Sequence, residues 1–464
     1  MIEESAMGGG PARAPGAAST ATLLCLLLLV IYNANFRLGP SGDTLPARFL
    51  PFSLVCDHTL YLDDWVRPYL RGAYEDGGHF LTAARGHWMS SYPIITPVLV
   101  SPLYIAPAWW LRSQPAAARE EAARLIARTM EKLSASLLAA LSAGVLYLAL
   151  LRITTSGAAL LVTLVYALAA NTWSTSSQAL WLHALTQLSF AFLIWALLRC
   201  SASGRRDAGG TSAFCAGLAL AVAAANKPTN LLVALFVIAY VLQRHGNRLA
   251  AFFVPLLTVG ALVLAYNLYF FGGILGAWSA AKLASGAWGG FGNPSPLALP
   301  GLLISPNRGL LAYSPWTVFA IWGAVRLWRE NRWDWVRYLI PGVAALVLLP
   351  ACYDRWWGGY CFGPRYLADV LPFCALFLAG LWPHIRRSRG ALGFFIATVV
   401  FSLWVQCVGA FCYTWQWDNR PASVDAHPER LWDWRDSQVL RSWREGRAYP
   451  DLYYDWVDYL NARR

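Results

Sequence analysis

Apolar stretches separated by short polar breaks run along almost the whole chain. They fall near residues 21–36, 93–111, 133–151, 157–171, 179–198, 212–226, 229–243, 249–270, 309–328, 336–352, 366–383 and 391–413. As a helix, about 20 apolar residues cover a hydrocarbon slab of roughly 30 Å. Sustained apolar–polar alternation is absent, so helices rather than a closed barrel satisfy the backbone. The pattern predicts an all-α polytopic transmembrane bundle of about 11–13 helices. Two polar pieces interrupt it. Residues 37–92 form a long loop after the first span, and residues 414–464 form a tail rich in Trp, Tyr, Asp and Arg. The expected organisation is a disordered N-terminus (1–20), a membrane domain (21–413) and a short tail acting as a cap or lid (414–464). Residues 114–132, "QPAAAREEAARLIARTMEK", place Leu125, Ile126 and Met130 on one side. They read either as an amphipathic helix along the membrane surface or as a plain connector.

Composition agrees with the pattern: of 464 residues, 57% are hydrophobic and only 13% are charged. The net charge of +12 sits mostly in short Arg clusters between spans, as positive-inside topology requires. There is no RNA-binding signature or long basic tract, so nucleic acid is not an expected partner. In the second half, Arg199, Arg205 and Arg206, then Arg244 and Arg248, then Arg326, Arg329, Arg332 and Arg337, then Arg386, Arg387 and Arg389 occupy one set of loops. The alternate loops carry only Lys227, Lys282, Arg308, Arg355 and Arg365. The first set is therefore cytoplasmic, and the tail lies outside. Counting spans backward from Arg199 would put the 37–92 loop in the cytoplasm, whereas a conventional N-inside start puts it outside. The two agree if one stretch among 93–198 enters without crossing. The proline-rich "YPIITPVLVSPLYIAPAWW" and the polar break "NTWSTSSQALWLH" are the two choices, and the outside loop is preferred. The cysteines are scattered without a CxxC, which argues against a thiolate metal site. Cys352 and Cys361 would be able to pair if their loop faces an oxidising compartment.

The densest chemistry is "YDRWWGGYCFGPRY", Tyr353 to Tyr366. Gly358, Gly359 and Gly363 allow a tight backbone. Trp356 and Trp357 suit headgroup depth. Arg355 and Arg365 supply planar cations that match phosphate oxygens, with Tyr366 beside them. These parts fit a site for an amphiphile with an anionic head; they also fit an aromatic belt with snorkelling arginines. Arg308 in "SPNRGLLAYSP" needs a partner or an anionic ligand at membrane depth. Lys227 in "ANKPTNLL" stands between two apolar segments, where it either meets a phosphate or caps a helix. The first loop supplies acids. Asp43 lies a few residues past the first span, and Asp63 and Asp64 follow in "LYLDDW". A carboxylate there can take a proton from an attacking hydroxyl. His87 and Tyr92 come later in the same loop as candidate substrate contacts. The acids would also be able to hold a divalent metal, although their spacing fits no ligand template. No P-loop, HExxH, GxSxG or strand-flanked GxGxxG is present, so the leaving group must come from elsewhere, such as a lipid-linked donor.

The motifs "SGDTLPARFLP", "SYPIITPVLVSPLYI", "SSQALWLHALTQL", "ANKPTNLL", "SPNRGLLAYSP" and "WWGGYCFGPRYLADVLPF" resemble those of bacterial membrane proteins grouped with the GT-C superfamily of integral membrane glycosyltransferases. Protein O-mannosyltransferases and lipid A aminoarabinose transferases are members. The resemblance implies many spans, an essential acid in a long first outer loop, and a polyprenyl-phosphate-linked sugar donor at a bacterial inner membrane. The family acid maps onto Asp43. The acidic pair of many members is missing there, because Thr44 follows; only Asp63 and Asp64 offer a pair. On this reading the chain inverts an anomeric centre, with Asp43 or Asp63 as base and Arg355, Arg365, Arg308 or Lys227 on the departing phosphate. Two other readings remain at this stage: a transporter or flippase of a lipid-linked saccharide, and a non-catalytic envelope scaffold. Sugar, acceptor and oligomeric state leave no mark in the sequence.

Overall fold

A computed structural model describes residues 16–39, 42–70, 78–202, 206–277, 290–291, 295–331 and 333–463. The architecture is an all-α polytopic bundle, 74% helical. Among the described residues six helices are long and apolar enough to cross a membrane: Ala116–Leu150, Leu182–Cys200, Gly209–Asn226, Gly246–Phe271, Arg365–Ile385 and Arg389–Phe411. Shorter apolar helices occupy Ala17–Asn33, Ser156–Leu168, Pro228–Arg244 and Val336–Cys352. The chain is a multi-pass membrane protein. Helix backbones come close where glycine removes the side chain. A Cβ on Gly217 would lie 2.0 Å from the Phe252 carbonyl oxygen, and one on Gly323 would lie 2.2 Å from that of Phe377. With no hydrophobic drive between helices in lipid, such close packing holds them together. The helix Leu249–Phe271 stands at the rim with Val254, Leu257, Leu262 and Leu268 exposed, a face for acyl chains.

The first apolar helix begins at Ala17, inside the stretch expected to precede it; residues 1–15 lie outside the described residues, as does Lys282. The proline-rich stretch is broken into Ile95–Val100, a 3-10 turn Ser101–Tyr104 and Ile105–Arg112. Both of its ends sit at one end of the bundle. Thr96 donates to Asn226 at 2.6 Å, and Arg112 donates to the Cys56 carbonyl at 3.0 Å. Residues 114–132 do not lie along a membrane surface. Arg119–Leu150 is one continuous helix of 32 residues, roughly 48 Å at 1.5 Å per residue, and it projects beyond the slab. The tail covers that projection through Arg128, which pairs with Asp451 and Asp455, and through Trp456 Nε1 donating to Thr129 at 2.9 Å. Asn35 meets Gln178 and the Ala410 carbonyl at this same end. The Arg clusters gather at the other end, where Arg244 faces Asp334 at 3.6 Å and Arg199 lies 5.1 Å from the Trp195 ring.

Among the described residues one β-hairpin, too short to leave a visible alternation, breaks the all-helical rule. Leu81–Ala84 pairs antiparallel with His87–Ser90, and the two-residue turn Arg85-Gly86 has φ 55 and 82. Positive φ at both positions matches the right-handed twist of the strands.

Candidate functional site

Four elements converge on Asp43. It sits in the turn before the helix Leu45–Phe52, at the positive end of that helix. The hairpin brings two donors together. Beyond its last pair the ladder continues with Ser91 N–H on the Phe80 carbonyl at 3.0 Å, which leaves His79 and Tyr92 opposite each other. His79 Nε2 is 2.8 Å from Asp43 Oδ1, and Tyr92 Oη donates to the same oxygen at 2.9 Å. Arg365 enters from the late motif, at the start of the 3-10 segment Arg365–Val370, and its Nη1 donates to Asp43 Oδ2 at 2.8 Å. The guanidinium rests near Trp181, whose ring centre is 4.4 Å from Cζ. The carboxylate is a quarter exposed, the guanidinium about a tenth.

Burial pushes the Asp43 pKa up, but the hydrogen bond from His79 and the charge of Arg365 outweigh it and hold the carboxyl well below its usual range. For Tyr92, burial and then the Asp43 charge push the phenol far above its usual value, so it stays a donor. A carboxylate offers about four lone-pair sites. The three contacts above leave room for one more donor, such as an incoming hydroxyl.

A second charged group stands beside the first. Asp369 lies one turn beyond Arg365 and accepts from Lys227 Nζ at 2.6 Å; its other oxygen is 2.7 Å from His183 Nδ1. Tyr366 links the two groups, with Arg365 Cζ 5.5 Å and Lys227 Nζ 5.9 Å from its ring centre. Arg365 Nε is buried with no hydrogen-bond partner among the described residues, so the cation has donor capacity left.

No protein-family description and no curated protein matches the chain. Among solved structures it is similar to ArnT from Cupriavidus metallidurans, in the crystal structure bound to undecaprenyl phosphate. The match has a TM-score of 0.54 at 14% identity, over 96% of this chain and 76% of ArnT. The two chains share a fold.

The other residues singled out from the sequence are not all brought to Asp43. Asp63 starts the helix Asp63–Leu70 and lies 3.1 Å from His87 Nδ1, with Trp88 N–H donating to it at 3.2 Å. His87 is at the turn end of the hairpin, five residues along the strands from His79 and Tyr92. At about 3.3 Å per residue that is roughly 16 Å away. Asp63 and His87 thus form a separate contact that anchors the hairpin, and Asp64 is exposed beside Arg67 at 3.5 Å. Arg355 also departs from expectation: it is largely exposed and faces Asp425 of the tail at 3.5 Å.

Arg308 is fully buried and committed to protein partners rather than to a ligand. It donates to Asp418 at 2.7 Å and to the carbonyls of Trp357 and Gly359 at 2.9 and 3.0 Å. The thiols of Cys352 and Cys361 are both free. Among the described residues no group of three His, Cys, Asp or Glu is placed to hold a metal ion. Asp369, His183 and Trp181 escaped the sequence reading, although an acid four residues after Arg365 at the mouth of an apolar run was a usable signal.

The glycines of the late motif make a sharp test. Gly363 has φ 62, and a Cβ there would lie 2.5 Å from the Tyr313 ring. Gly359 has φ 67 but open space around it. Gly363→Ala is expected to cost about 1–2 kcal/mol for left-handed backbone plus about 1–3 for overpacking. Gly359→Ala should show only the first cost, and thermal unfolding of the two variants in detergent measures the difference.

Proposed function

We propose that the protein is a glycosyltransferase that moves a sugar from a polyprenyl-phosphate-linked donor to an acceptor hydroxyl, with inversion, at the extracytoplasmic face of a bacterial inner membrane. The observation that carries this reading is the Asp43–Arg365 contact of 2.8 Å, formed by an acid early in the chain and a cation late in it. The shared fold supports the donor class, since the ArnT structure holds undecaprenyl phosphate. The Arg clusters at the opposite end of the bundle support an extracytoplasmic site.

On this reading Asp43 takes the proton of the acceptor hydroxyl as its oxygen forms the bond to the anomeric carbon. The bond from that carbon to the phosphate oxygen breaks, and its electron pair leaves with polyprenyl phosphate. Arg365 and Lys227 stabilise the growing phosphate charge; fixed charge aimed at developing charge is usually the largest catalytic contribution. Asp369 and His183 hold Lys227 in place. The test uses purified protein, a radiolabelled polyprenyl-phosphate sugar and membrane extract. Release of polyprenyl phosphate with label on an acceptor supports transfer. Movement of intact donor across a vesicle without release would replace the reading with a flippase.

A pH profile tests the role of His79. Because the Asp43 pKa is depressed, the carboxylate stays ionised until the pH falls well below about 3.9, the ordinary value. Wild-type protein should therefore show no acid limb from Asp43 in the working range. His79→Ala removes the largest of the contributions that lower this pKa, so the limb should move up toward the ordinary value. Profiles that superimpose would show that the contact does not tune this acid.

A further inference from the structure

A cavity of about 30 Å³ lies inside the loop end of the bundle, lined among others by Arg37, Ser174, Gln178, Trp181, Cys361 and Tyr413. About 10–15 Å³ suffices for a water, so there is room for one or two waters or one small ion. The charges around it decide between them. Arg37 is 7% exposed; its Nη2 donates to the Tyr413 carbonyl at 2.7 Å, while Nη1 has no hydrogen-bond partner among the described residues. Lys132, 2% exposed, donates at 2.5 Å to Gln178 Oε1, a neutral acceptor on the cavity wall.

Neither cation has a carboxylate within ion-pair distance among the described residues. Asp451 is taken by Arg128 and by the Leu38 N–H, and Glu131 by Arg48 at 2.5 Å. The wall hydroxyls are also committed. Ser174 donates to Gln406 at 2.5 Å, and Tyr413 donates to Asp418 at 2.6 Å. What remains is a buried guanidinium with an unspent N–H; the carboxylate that acts on it, Asp451, does so from beyond ion-pair distance and is already paired with Arg128, an expensive arrangement unless a closer counter-charge is present. Water would satisfy the N–H without cancelling the charge.

We propose that this cavity is a binding site for one small inorganic anion of halide size, chloride under ordinary conditions, held by the free N–H of Arg37. The site is distinct from the Asp43 cluster, yet the two share a wall. Trp181 lines the cavity and also packs against Arg365. The anion thus supports the platform under Arg365 without touching a substrate.

The test needs no enzymatic activity and so does not depend on the transferase reading. Protein in detergent is melted in chloride, bromide and gluconate at matched ionic strength, and crystals grown in bromide are measured at the bromine edge. An anion bound well above its dissociation constant should raise the midpoint by about 2 °C or more relative to gluconate. Arg37→Gln should lose that difference and Arg37→Lys should keep most of it. Anomalous density is expected in the cavity beside Arg37. Equal midpoints in all three salts, or no bromine signal there, would overturn the site; the diffraction arm uses wild-type protein and holds even if Arg37→Gln fails to fold.

Discussion

Asp43→Asn is expected to lower turnover by about 10²–10⁴-fold, the range that a positioned general base supplies. The amide keeps the shape of the carboxylate but cannot take a proton at working pH. It also leaves Arg365 without its counter-charge, which loosens the cation meant for the departing phosphate. Release of labelled polyprenyl phosphate under single-turnover conditions measures the loss, and the donor dissociation constant separates chemistry from binding. Removal of the base alone should act on turnover, whereas a displaced Arg365 should weaken donor binding as well. Asp63→Asn is the internal control. Its carboxylate serves His87 and the Trp88 N–H at the far end of the hairpin, so it should stay within a few-fold of wild type. Full activity in Asp43→Asn, or equal losses in both variants, would remove Asp43 from the chemistry.

The parts of this site that the sequence revealed are those that local composition can express. Apolar runs placed the long apolar helices but not the short ones of the first loop and the tail, such as Leu45–Phe52 and Asp451–Asn461. The crowding of Arg, Trp and Gly around Arg365 marked the motif, and the position just past the first span marked Asp43. What stayed hidden depended on pairing across long chain separations. Arg308 looked like a ligand-binding cation because its counter-ion, Asp418, lies 110 residues later in a tail with no motif of its own. Asp63 looked like a candidate base because its partner, His87, sits at the far end of a hairpin whose two four-residue strands leave no visible alternation. The helical period in residues 114–132 was read correctly, but its apolar side is covered by protein rather than by lipid: Leu125 belongs to one buried cluster with Tyr459 of the tail, and Met130 to another with Phe49 and Tyr104. Whether a charged residue near a membrane is free or paired is decided by tertiary contacts that hydropathy does not encode.

The same reasoning predicts that Arg308→Met costs about 3–5 kcal/mol, the usual result of removing one partner from a buried ion pair. Both side chains of the Arg308–Asp418 pair are 0% exposed, so neither charge can turn to water when the other is lost. The damage should exceed that of a simple pair, because Arg308 also serves the Trp357 and Gly359 carbonyls and Gln438 Oε1 at 3.2 Å. Replacing both charges often costs little when the replacements pack well. Here Arg308→Met with Asp418→Leu should recover only part of the loss, since the two carbonyls remain buried without a donor. The tail should loosen first: Asp418 ties it to Arg308, and Gln438 ties it to Asn307, whose Oδ1 accepts from Gln438 N–H at 2.6 Å. Limited proteolysis in detergent should therefore cut within 414–463 of Arg308→Met before any apolar helix is lost, and the thermal midpoint should fall with it. Wild-type stability and an uncut tail in Arg308→Met would show that this buried pair does not dock the tail.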